Sequence, residues 1–292
     1  MSAAEFSRRT VLAGSLAAAA VPALSLAETP RLTVLKGVRY ATARRFEAPV
    51  AVSWQGIGKK AESAFGHSCR QAGGRYAPQS EDCLFLNVWA LKGKPQRPRP
   101  VMVYIHGGAY STGSVVDPLN DGARLAEHGD VVVVTVNHRL NVFGYLYQPE
   151  RFPHSVNAGQ LDLIAALQWV QRNIGAFHGD PGNVTVFGQS GGGAKIATLM
   201  AMPEATGLFH KAITMSGQQV TASGPLNARQ RAQAFLDKLG AGVDPATAPA
   251  EQLVAALSAV DPVLGGGVYM GPVLDMTHLH RHPFWPDAAP QS

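Results

Sequence analysis

The chain has 292 residues, of which 46% are hydrophobic and 15% charged, so it can bury a large core and nothing before its last residues suggests disorder. The formal net charge is +5, but the basic residues lie scattered in pairs such as Arg44/Arg45 and Lys59/Lys60, without interleaved aromatics. That pattern argues against a nucleic-acid partner.

The first 27 residues differ from the rest. Ser7-Arg8-Arg9-Thr10-Val11-Leu12 leads into an alanine-rich apolar run ending at Ser25-Leu26-Ala27. Small residues at 25 and 27 predict cleavage before Glu28, and the SRRTVL run resembles a twin-arginine export signal. The alternative is a single membrane anchor; the stretch from Val11 to Leu26 is short for spanning and has no basic stop directly behind it, so no stable anchor is expected. The expected organisation is a signal peptide over 1–27 and one domain over 28–292, exported to the periplasm or secreted. There are two cysteines, Cys69 and Cys83. In an oxidising compartment a pair closing a short loop reads as a disulfide rather than a metal or redox site, which needs further ligands or CxxC spacing; two free buried thiols are the alternative.

From Leu32 the chain reads as short strands and turns, then as a mostly apolar strand within SEDCLFLNVWA, 80–90. Pro95, Pro98 and Pro100 mark a loop. VMVYIHG at 101–107 is a continuous β run of the kind buried on both faces, followed by VVVVTVNHRL at 131–140, VTVFG at 184–188 and KAITMSG at 211–217. Leu161 to Ile174 carries a helical apolar face between them. Strands alternating with helices predict an α/β fold with a mainly parallel central sheet. Past Gly217, Leu226 to Leu239 and Glu251 to Val260 are amphipathic helices without strands between them, read either as an excursion over a site or as ordinary surface packing.

The chemistry concentrates at VTVFGQSGGGAK, 184–195. Gly188-Gln189-Ser190-Gly191-Gly192 stands between a β run and an apolar helix beginning at Ala194, which is the setting of a nucleophile elbow. Glycines there relieve crowding around a strained serine, and the following helix points its N–H groups at developing negative charge. A phosphate loop fails, because Ala194 and Lys195 stand where Lys and then Ser or Thr would meet phosphate and Mg²⁺. HGGAY at 106–110 follows the first long strand, and its glycines can bare main-chain donors for an oxyanion. Either motif alone is more often a glycine turn; the ordered pair points to a hydrolase.

GVRYA at 37, EDCLFLNV at 81, YIHGGAY at 104, NHRLNVFGYL at 137, NAGQLDLIAALQWVQRNIGAFHGDPGNVTVFGQSGGGAK from 157, GLFHKAITMSG at 207 and GPVLD at 271 together resemble the type-B carboxylesterases, the cholinesterase-like branch of the α/β-hydrolases. The resemblance implies that Ser190 is the nucleophile, that Gly107, Gly108 and Gly191 form the oxyanion hole, and that Cys69 pairs with Cys83. It implies a small-molecule carboxylic ester as substrate, no cofactor and no metal. Gln189 replaces the usual glutamate before the serine, Gly191 the usual alanine, and His178 a common glycine; none of these removes a catalytic group.

In that family the acid and the histidine of the triad follow later strands. The chain is therefore expected to be the N-terminal portion of such an enzyme, without its C-terminal strands and with neither the acid nor the histidine. Impaired hydrolysis, or a non-catalytic binding module, are the resulting expectations, together with self-association through an uncovered KAITMSG edge. His278, His280 and His282 alternate near Asp275. An extended segment would put all three on one face, as a replacement base or a three-imidazole metal site, although a polar surface strand is the simpler reading.

Overall fold

In the computed structural model the described residues are 31–56, 64–217 and 220–289; the expected signal peptide at 1–27 lies outside them. A six-stranded sheet forms the centre. Its strands are β1 (Leu32–Arg39), β2 (Phe85–Leu91), β3 (Arg99–Ile105), β4 (Val132–Val136), β5 (Gly179–Gln189) and β6 (Lys211–Met215), in spatial order β1-β2-β4-β3-β5-β6. The pairs β4/β3, β3/β5 and β5/β6 are parallel, whereas β1/β2 and β2/β4 are antiparallel.

The valine run of β4 shows why both faces need cover. Val132, Val134 and Val136 point into a cluster with Leu163, Leu167 and Trp169 of the helix Ala158–Asn173, while Val131 and Val133 join Trp89 and Ala126 on the other side. Successive β side chains face opposite ways, so an unbroken apolar run demands a layer on each side. The helices are α1 (Ala123–Gly129), α2 (Asn141–Tyr145), α3 (Ala158–Asn173), α4 (Gly191–Leu199), α5 (Pro225–Leu239) and α6 (Ala250–Ala256). Among them α1 packs on the Val133 face, and α3 with α4 on the Val134 face.

The α/β arrangement is the one expected, with two local revisions. The β run predicted over 131–140 stops at Val136, because Asn137 to Leu140 leave the sheet and lead into α2. The predicted helix 251–260 is shorter, spanning Ala250–Ala256, since Val260 instead bridges Gly267. Cys69 and Cys83 form a disulfide beneath β2, both fully buried. The α5 and α6 helices share an apolar cluster with Tyr110, Phe143 and Tyr145, so they sit over the end of the loop that leaves β3. At the far edge, β6 leaves Ile213 45% and Met215 40% exposed.

Candidate active site

Ser190 stands between the last residue of β5 and the first of α4, with φ 54° and ψ −123°. Non-glycine residues avoid that region, at a cost of about 1–3 kcal/mol when held there. The strain is carried by its neighbours: the Ser190 N–H donates to the Met215 carbonyl at 2.7 Å, and the Ser190 carbonyl accepts the Ala194 N–H at 3.1 Å. β6 and the first turn of α4 thus clamp both sides of the serine. The half-buried residue opens a nine-residue helix whose first N–H groups lack intrahelical partners.

The loop after β3 comes up against this elbow. A Cβ built on Gly107 would lie 3.6 Å from Ser190 Cβ, and one on Gly191 would lie 2.4 Å from Ala109 Cα, so the two turns touch main chain to main chain. Gly108 between them has φ 94°, and its carbonyl accepts from Ser111 and Thr112 at 3.2 and 3.0 Å. The structure therefore gathers Ser190, Gly107, Gly108 and Gly191 in one place. Among the described residues no side chain hydrogen-bonds Ser190 Oγ.

Beneath the loop lies a layer of buried ionisable groups that sequence reasoning missed. Lys195, on the first turns of α4, is fully buried; its Nζ donates to the Ala109 carbonyl at 2.5 Å and to the His106 carbonyl at 3.3 Å. Burial pushes its pKa down to about 7. His106 and His138 stack with ring centroids 4.6 Å apart. Burial, reinforced by the Lys195 charge, pushes His106 down to about 3 and His138 well below its ordinary value, so both are neutral imidazoles. His106 Nδ1 lies 2.9 Å from the Gly107 carbonyl, which can only accept, so the proton sits on Nδ1. The signal for Lys195 was a single charge inside the apolar run AKIATLM, which a solvent-facing reading passes over.

His278, His280 and His282 do not form the expected row. Asp275 Oδ1 accepts the N–H groups of Thr277, His278 and Leu279, which folds the segment into a turn, and its Oδ2 accepts from Asn157. The imidazoles then diverge: His278 bonds Glu204, His280 the Thr277 carbonyl, and His282 the Ala222 N–H. An aspartate spent on three main-chain donors imposes a turn where alternation predicted an extended segment. No group of three metal-ligating side chains occurs among the described residues.

Residues 23–287 match the model of the carboxylesterase family. The para-nitrobenzyl esterase of Bacillus subtilis is 52% identical over 163 residues, covering 56% of this chain and 33% of the relative. Human carboxylesterase 3 is 52% identical over 139 residues, covering 47% of this chain and 24% of the relative. Among solved structures, a Geobacillus stearothermophilus carboxylesterase superimposes with TM-score 0.77 at 41% identity, over 88% of this chain and 56% of its own length. The chain thus spans about half the length of that esterase structure and a smaller share of the curated relatives. With an α/β-hydrolase sheet, a strained serine at the strand-to-helix turn and a family match over most of its length, the chain belongs to the carboxylesterase family.

Proposed function

We propose that this chain performs nucleophilic acyl transfer on small carboxylic esters, with Ser190 as the nucleophile. The observation that carries the reading is the strained serine itself: φ 54° at the head of α4, against the glycine loop. Ser190 Oγ adds to the ester carbonyl and gives up its proton to solvent; the carbonyl oxygen becomes an oxyanion bonded by the N–H groups of Gly107, Gly108 and Gly191; collapse expels the alcohol and leaves acyl-Ser190, which water hydrolyses. No cofactor enters these steps. The names of its relatives, para-nitrobenzyl esterase and carboxylesterases, support the substrate class.

Turnover is expected to be slow. Among the described residues nothing hydrogen-bonds Ser190 Oγ, and loss of the histidine from a serine triad costs roughly a factor of 10⁶ in turnover. Acylation by an activated ester should therefore be seen as an accumulating adduct rather than as catalysis. Nitrophenyl acetate is expected to leave an acetyl group on Ser190, found by peptide mass spectrometry and absent in Ser190→Ala. Acetylation confined to surface lysines, equal in both proteins, contradicts the reading. A non-catalytic binding role is favoured by the same hydroxyl, unbonded among the described residues, and predicts that second result. The arginine pair and apolar run before Glu28 support export by a twin-arginine route, and exposed Ile213 and Met215 on β6 support self-association along that edge.

A further inference from the structure

We propose that Lys195 is a positioning residue for the oxyanion loop: its ammonium, buried behind the loop, holds the His106 and Ala109 carbonyls and polarises the peptide whose N–H, on Gly107, faces the developing oxyanion. The inference rests on the acyl-transfer reading of Ser190 and goes beyond it, to a group that touches neither serine nor ester.

The geometry places the charge with some economy. The His106 carbonyl and the Gly107 N–H are two ends of one peptide group. A cation on the carbonyl end draws electron density from the N–H and strengthens it as a donor, because hydrogen bonds in series polarise one another at low dielectric. The next peptide is backed in the same way, since His106 Nδ1–H donates to the Gly107 carbonyl at 2.9 Å and the N–H of that peptide belongs to Gly108. The second Lys195 bond, to Ala109, fixes a residue at φ 52°, a conformation that a non-glycine residue leaves unless it is held. Ala109 is also the residue pressed against Gly191, so the same bond sets the spacing between loop and elbow.

A structural explanation for Lys195 is costly. The side chain is completely buried, lies 5.2 Å over the Tyr110 ring, and has no carboxylate partner among the described residues. Its backbone carbonyl is tied to α3 by Gln160 at 3.0 Å, so the helix would sit in place without the charge. An unpaired ammonium in the core opposes folding, and an apolar side chain of similar length would fill the space at less expense. The titratable groups facing it are His106, His138 and Tyr110. Burial holds the two imidazoles neutral and pushes the Tyr110 hydroxyl well above its ordinary value, so none of the three neutralises the ammonium. With its own proton held at a pKa of about 7, Lys195 gives the loop its charge below neutrality and loses it above.

The test follows phosphonylation of Ser190 by a fluorophosphonate, quantified by mass spectrometry from about pH 6 to about pH 9, in the parent chain, Lys195→Met, Lys195→Arg and Ser190→Ala. At pH 6 the parent is expected to react about tenfold faster than Lys195→Met, less than the loss of a direct oxyanion donor, and that ratio should shrink above pH 7 as the parent loses its proton. Taking the ratio removes the hydroxyl's own pH dependence. A folded Lys195→Met whose ratio is flat in pH, or whose rate equals the parent's, overturns the proposal while leaving Ser190 as nucleophile. Should Lys195→Met not fold, Lys195→Arg decides: its permanent charge makes the Arg-to-parent ratio rise across pH 7, and a flat ratio overturns the proposal. No adduct on Ser190 in the parent, or equal labelling of Ser190→Ala, removes the nucleophile reading itself and this inference with it.

Discussion

Replacing Asp162 with alanine is expected to cost about 3–5 kcal/mol of folding stability, the largest single-residue loss outside the apolar core. Asp162 of α3 is fully buried and receives Arg139 in a fork, Nη2 to Oδ1 at 2.7 Å and Nε to Oδ2 at 2.8 Å, with the Arg139 N–H adding a third bond at 2.9 Å. The same guanidinium reaches the Glu47 carbonyl at 2.7 Å. Arginine cannot shed its proton at accessible pH, so removing the carboxylate leaves a buried charge with only carbonyl partners. The break also releases the turn after β4 from α3, leaving the Glu47 carbonyl as the guanidinium's short contact. Urea unfolding followed by circular dichroism measures the loss; a cost below about 1 kcal/mol would show the pair to be dispensable.

Lys195 yields the second large effect, in the dependence of stability on pH. Its pKa in the folded chain is about 7, against an ordinary lysine value of about 10.4 once unfolded. Below pH 7 both states carry the proton and the folded state bears the full penalty of a buried ammonium. Between the two values the unfolded chain binds the extra proton, so stability rises with pH, and above the upper value nothing further changes. Lys195 alone should add on the order of 4 kcal/mol of stability between those limits. The parent's gain over that window should exceed that of Lys195→Met, and at pH 6 the variant should be the more stable protein. A stability difference independent of pH contradicts a buried, displaced lysine. The measurement is clean in one respect: the chain has no free thiol to start disulfide exchange at alkaline pH.

Those two groups mark what could and could not be read in advance. The sheet was legible because Val131–Val136, interrupted only by Thr135, and Val101–Ile105 are nearly continuous apolar runs, as strands covered on both faces use. The elbow was legible because glycines flank a serine where β periodicity gives way to a helix. Lys195 was not legible, since charge ordinarily reports exposure and its carbonyl partners lie 86 and 89 residues earlier in the chain. The histidines at 278, 280 and 282 misled for a related reason. Their alternation is a local pattern, whereas the turn that disperses them is imposed by Asp275 bonding to main-chain N–H groups and to Asn157, 118 residues earlier. Arg139 and Asp162 fell inside stretches recognisable by resemblance, yet nothing in either stretch says that each is the other's partner.

In the proposed reaction Ser190 attacks while the glycine loop and the head of α4 receive the oxyanion. A crystal structure of the chain after reaction with a fluorophosphonate shows where that oxyanion would sit. The expected result is phosphorus bonded to Ser190 Oγ, with the phosphonyl oxygen within hydrogen-bonding distance of the N–H groups of Gly107, Gly108 and Gly191. A phosphonyl oxygen turned to solvent, or an adduct on another residue with Ser190 free, would contradict it.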